Sequence, residues 1–200
     1  MANLFIVFDG LDGSGKGLMI KKLEEYLKNK GKRVAVTKEP TEGKYGKEIK
    51  EILTKDNDPK KNAEKCLGLY IKDRQEHVKE ITGLLKGNIV ICDRYYYSTM
   101  AFQHTQGIPL NRTIELNEDF IKPDIAFILD LEPETAMERI EKDITRENKE
   151  KFEQINFMKQ LRANFLNLKN QLPDNIVIID ASKTKEEVFS QIKEEIDRLL

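Results

Sequence analysis

The chain has 200 residues, and its 34 Lys+Arg against 35 Asp+Glu leave a formal charge of −1. That balance excludes the basic footprint of a general nucleic-acid binder, and two cysteines, Cys66 and Cys92, are too few for a disulfide framework. No apolar run approaches the ~20 residues of a membrane helix. The apolar start has no cationic region before it and no small-residue cleavage pattern after it. The expectation is a cytoplasmic protein of one domain, residues 1–200, large enough to fold without metal or disulfides and binding neither nucleic acid nor membrane.

In chain order, short apolar or β-branched runs read as strands at 4–8, 33–37, 88–92, 124–131 and 175–180. They are continuous rather than alternating, which fits strands covered on both faces. Helical patterns lie between them. Met19, Ile20, Leu23, Tyr26 and Leu27 recur at spacings of three and four, with Gly31 where the helix would stop. Near the end, Val188, Ile192, Ile196 and Leu199 form one apolar stripe. Strand and helix alternate, so the fold class is α/β, a doubly wound five-stranded parallel sheet with helices on both faces. No internal repeat or linker divides it. Residues 138–154 break the rhythm with a charged stretch, ERIEKDITRENKEKFEQ, which reads either as a solvated helix surface or as a mobile lid carrying cations.

The first strand runs into Gly10-Leu11-Asp12-Gly13-Ser14-Gly15-Lys16-Gly17, and a helical pattern follows at once. Strand, glycine-rich turn and helix make the context of a phosphate-binding loop. Glycine permits backbone angles that turn successive N–H groups toward phosphate oxygens, and the helix start adds partial positive charge. Lys16 would reach the β- and γ-phosphates as a point charge. One position departs from the pattern. Gly17 stands where a Ser or Thr hydroxyl normally ligates Mg²⁺, so the metal would need phosphates, water and a carboxylate from elsewhere.

Asp93-Arg94-Tyr95 follows the third strand, at the strand end where ligands bind in such sheets. Arg94 offers a planar fork for phosphate, and Asp93 would hold a metal through water; an internal ion pair is the plainer reading. With these pieces in order, the sequence resembles the thymidylate kinase family of nucleoside monophosphate kinases. The resemblance runs through FDGLDGSGKG, KEPTEGKYGKEIKEIL, Tyr70 to Arg74, DRYYYSTMAFQ, LDLEPETAMERI and IIDASKTKEEV.

The resemblance implies roles. Asp12 meets the acceptor sugar 3′-hydroxyl. Tyr70 stacks on the base and Arg74, on the same helix face, bonds its edge, the alternative being a core aromatic and a surface arginine. Arg94 grips the acceptor phosphate, Phe102 crowds the 2′ position, and Gln103 is a neighbouring contact. Glu39-Pro40 borders the acceptor phosphate, with a peptide bond that is cis or trans. Because Gly13 follows Asp12, the transition-state arginine comes from the lid. Arg146 is the choice, with Lys142, Lys149 and Lys151 behind it, and Arg139 lies near the donor base. The implied reaction is transfer of the γ-phosphoryl of ATP to dTMP, with Mg²⁺, in a homodimer. A kinase for another deoxynucleotide or deoxynucleoside, a non-catalytic ATP-binding regulator suggested by Gly17, and an α/β binding module for some other phosphorylated ligand are the rivals. Cys66 and Cys92 read as core filling.

Overall fold

The computed structural model describes residues 3–55, 61–142 and 155–200. Strands β1 (Phe5–Gly10), β2 (Val34–Lys38), β3 (Ile89–Asp93), β4 (Ile125–Asp130) and β5 (Ile176–Asp180) pair in parallel in the order β2-β3-β1-β4-β5. The helices are α1 (Lys16–Asn29), α2 (Lys44–Lys55), α3 (Ala63–Leu85), α4 (Tyr96–Thr105), α5 (Leu110–Glu115), α6 (Pro133–Lys142), α7 (Ile155–Gln171) and α8 (Lys185–Asp197).

The continuous apolar runs do what such runs must. Phe5 to Phe8 in β1, Ile89 to Cys92 in β3 and Ile125 to Leu129 in β4 are buried on both faces of the sheet. β2 departs from the expectation of a strand covered on both faces. It lies at the sheet edge, and Val36 keeps 44% of its surface exposed. Cys66 and Cys92 are free thiols in the interior, and burial pushes both pKa values up, which suits packing rather than reactivity.

Helix ends follow local chemistry. α1 ends where Gly31 adopts a left-handed φ of 74°; the Gly31 N–H donates to Lys28 O at 2.9 Å and the Lys32 N–H to Leu27 O at 3.0 Å, a Schellman closure. α8 begins with a capping box, in which Glu187 N–H donates to Thr184 Oγ1 and Thr184 N–H to Glu187 Oε2.

The tyrosine run is wholly core. Tyr95 donates its hydroxyl to Ile121 O at 3.1 Å, while Tyr96 and Tyr97 both donate to Asp174 Oδ2 in the loop before β5. Burial raises the pKa of all three phenols. At the carboxyl end of β4, Arg162 of α7 forks onto Asp130 at 2.6 and 3.0 Å and reaches Glu132 at 2.5 Å, tying α7 to that strand.

Because every strand pair is parallel, the carboxyl ends lie along one edge of the sheet, where the segments following β1, β2 and β3 touch one another and α6, after β4, closes on the loop after β1. Asp174→Ala should lower stability by about 2–4 kcal/mol, because it leaves two buried hydroxyls without their acceptor. Urea denaturation measures this, and Asp174→Asn, which keeps an acceptor oxygen, should lose less.

Candidate active site

β1 ends at Gly10 with φ 130°, and the chain turns through Gly13 (79°) and Gly15 (94°) into α1. The turn is possible only without side chains at its closest approaches. A Cβ at Gly10 would lie 2.6 Å from Leu129 O, and one at Gly13 would lie 2.5 Å from Ala136 O of α6. Gly15 caps α1 without a side-chain bond, so no side chain of its own competes for the first-turn N–H groups. The Ser14 hydroxyl oxygen is buried in this loop with no hydrogen-bond partner among the described residues.

Lys16, the first residue of α1, curls back over the loop. Its Nζ donates to Gly10 O at 3.1 Å and Leu11 O at 2.9 Å, and stands 4.0 Å from Asp12 Oδ1. Burial, assisted by the neighbouring Arg94 charge, lowers its pKa to about 8, against the pull of Asp12, Asp93 and Asp9.

Arg94 approaches from β3. It is the one non-glycine residue with positive φ among the described residues, at 68°, an arrangement that costs energy and is held here by bonds on every side. Its Nη2 donates to Asp12 Oδ1 at 2.6 Å, and its Nη1 to Ser98 Oγ at 2.8 Å and Gly10 O at 3.2 Å. Phe102 lies beneath, 5.5 Å from ring centroid to guanidinium carbon. Lys16, Arg94, Asp12 and Phe102, predicted separately, therefore meet at one point.

Asp9 is the residue that sequence reasoning missed. It is fully buried at the tip of β1, where its carboxylate accepts the N–H groups of Gly10, Tyr95 and Ser98 and the Ser98 hydroxyl at 2.6 Å. Tyr95, the N-cap of α4, supplies no side-chain cap, so Asp9 caps that helix from another element. Burial raises its pKa and Arg94 opposes the rise. The available signal was a lone charge closing an apolar strand.

Glu39, after β2, is joined to Pro40 by a cis peptide bond. Its position differs from a simple border to the acceptor phosphate. The carboxylate is buried and receives Arg74 Nε at 2.9 Å and Nη2 at 2.6 Å. Arg74 is itself buried, donating also to Thr99 Oγ1 and Asn117 Oδ1, with its guanidinium over the Tyr95 ring at 5.2 Å. It is thus no surface arginine. Tyr70 sits half-buried on the preceding turn of α3. Gln103 is buried, donating Nε2 to Gln106 Oε1, while its own Oε1 has no hydrogen-bond partner among the described residues.

Arg139 of α6 donates to Ala181 O at 3.2 Å, bringing it beside the segment after β5. Arg146, Lys149 and Lys151, and most of the 138–154 segment, lie outside the described residues, as does the side chain of Lys142. A divalent metal has a partial set of partners. Asp93 Oδ1 is buried without a hydrogen-bond partner, Gly17 borders open space, and no cluster of three ligating side chains occurs among the described residues. One carboxylate with phosphates and water is the kind of shell that Mg²⁺ accepts.

A family model described as thymidylate kinase matches residues 8–192. The chain belongs to the thymidylate kinase family. Relatives named probable thymidylate kinase include one from Archaeoglobus fulgidus, 36% identical over 98% of this chain and 96% of that protein. Another, from Methanococcus maripaludis, is 39% identical over 95% and 93%. A thymidylate kinase from Caldicellulosiruptor saccharolyticus is 38% identical over 100% and 98%. No helix among the described residues is long and apolar enough to cross a membrane.

With its pKa lowered to about 8, Lys16 gives up its charge, and the pull it can exert on phosphate, as the solution becomes alkaline. Protonated Lys16 attracts phosphate; loss of that proton above about pH 8 removes the charge, while arginine keeps its own. A pH series of kcat/KM for ATP, which reports the free enzyme, should fall toward tenfold per unit above the inflection. A flat profile to about pH 10 would contradict this.

Proposed function

We infer that this thymidylate kinase transfers the γ-phosphoryl group of ATP to the 5′-phosphate of dTMP, giving ADP and dTDP. The observation that carries the site assignment is the meeting of Lys16 and Arg94 over one carboxylate, Asp12. Cations from two separate strand ends facing a common anion are what a head-to-head pair of phosphate chains requires.

The protein's task is alignment and charge neutralisation, because the transferred group passes through a loose transition state. Lys16 and the N–H groups of residues 10–17 hold the donor phosphates, with Leu11 and Gly17 as backbone contributors and the buried Ser14 hydroxyl as a further donor. Arg94 fixes the acceptor phosphate in line. When it does so it exchanges Asp12 for phosphate, and Asp12 is released toward the acceptor sugar. Phe102, held against Arg94, walls the 2′ position, while Tyr70, Arg74 and Gln103 surround the base. Arg139 borders the donor base. Mg²⁺, when bound, neutralises phosphate charge, and Asp93 would hold it through water. With Gly13 in the loop, the transition-state arginine is assigned to residues 138–154, Arg146 first. The acceptor phosphate is already anionic, so no general base is needed.

Residues 1–200 act as one kinase domain. A cytoplasmic homodimer is the assembly expected of the family, and buried free cysteines support a reducing compartment.

A coupled ADP-release assay with dTMP, dUMP, dCMP and dGMP tests the reading. dTMP should give the highest kcat/KM. Lys16→Ala should lose about a hundredfold or more in kcat with its circular dichroism unchanged. Tight ATP binding with no ADP released under any acceptor would replace the kinase reading with a regulatory one.

A further inference from the structure

We propose that His77 is a positioning residue for the acceptor base, acting through Glu39 on Arg74; this rests on the reading above that Arg74 meets that base. Glu39 is spoken for at both oxygens. Oε2 receives Nε and Nη2 of Arg74, and Oε1 meets His77 Nδ1 at 3.0 Å. On the far side of the ring, His77 Nε2 meets Thr37 Oγ1 at 2.6 Å. The relative exposures of the Arg74, Glu39 and His77 side chains are 1%, 3% and 0%, so water does not substitute for the bonds at Glu39.

The chemistry sets the direction of each bond. A carboxylate gripped by a guanidinium only accepts, so His77 Nδ1 carries hydrogen whether or not the ring is charged. In the neutral ring Nε2 is then the acceptor, and Thr37 donates to it. The chain of contacts runs from β2 through α3 to the loop after β2, and back to α3 at Arg74. Glu39 accordingly acts as a bridge between His77 and Arg74, not as a hand on the substrate.

The terminal torsion of a glutamate is soft, so a carboxylate bonded at one oxygen swings where one bonded at both does not. Without the His77 bond, Glu39 can turn about that torsion, and the edge of the Arg74 fork that it holds at Nε and Nη2 shifts while Nη1 stays on Asn117. The loop backbone has a separate anchor. Asp73 accepts the Thr41 N–H at 2.8 Å and the Thr41 hydroxyl at 2.6 Å, and neither bond involves His77. Loss of the imidazole should therefore disturb the direction of Arg74 and leave the fold of the loop in place. Lys16 and the donor loop are not part of this network.

Two substitutions separate the nitrogens. His77→Asn places an amide nitrogen at the level of Nδ1 and restores the bond to Glu39. His77→Gln places it at the level of Nε2 and restores only the contact with Thr37. Steady-state kinetics with dTMP and ATP, together with the thermal midpoint, give the readouts. The expected result is a KM for dTMP raised about tenfold in His77→Gln, with kcat and the KM for ATP within about twofold, and His77→Asn close to the parent enzyme; tenfold corresponds to about 1.4 kcal/mol of binding. Equal behaviour of the two variants, whether both keep the parent KM or both lose it along with thermal stability, overturns the assignment of His77. Absence of dTMP-dependent ADP release from the unsubstituted enzyme overturns the base-site reading and this assignment together, and so is distinguishable from failure of the His77 step alone.

Discussion

The Asp9 carboxylate lies buried at the end of β1, and its partners among the described residues are the loop that follows it, the Arg94 guanidinium and the beginning of α4. An unpaired buried acceptor costs more than a bond returns, so this carboxylate compels the two segments to remain together. One carries the phosphate loop, the other carries Arg94. Their separation is therefore set by a hydrogen-bonded joint rather than by loop length. The left-handed backbone at Arg94 is sustained by the same joint, since the residues on both sides of its guanidinium are bonded to Asp9 or to the loop.

Around this joint the cations are balanced before any nucleotide arrives. Asp12 faces both Lys16 and Arg94, and Glu39 neutralises Arg74. Balanced charge lets the cluster stay folded in a partly desolvated cleft. In the proposed reaction phosphate displaces carboxylate at the same donors and little side-chain ordering remains to be done on binding, which is the physical content of preorganisation.

Much of this was legible in the residue order. Continuous apolar runs located all five strands within a residue or two, and glycine spacing located the loop, because both follow from rules local to a few residues. Cys66 and Cys92 read correctly as packing for the same reason. The edge position of β2 was not legible, since its run resembles that of a central strand and only pairing order exposes Val36. Nor was the burial of Glu39 and Arg74. Each looks like a surface charge in isolation, and the contact between them spans 35 positions in sequence. Asp9 escaped notice and His77 looks isolated in the sequence for a like reason, as their partners come from other elements and no spacing rule links them.

The claim on which the account depends is that Lys16 and Arg94 act on one continuous run of phosphates joining two nucleosides. The most direct measurement is calorimetric titration of the kinase with adenosine and thymidine joined 5′ to 5′ by an oligophosphate. The account predicts binding at one ligand per chain, competition with both ATP and dTMP, and loss of about a hundredfold in affinity in Arg94→Lys as well as in Lys16→Ala, both being charge-assisted phosphate contacts. Competition with ATP alone, or affinity indifferent to Arg94, would contradict it.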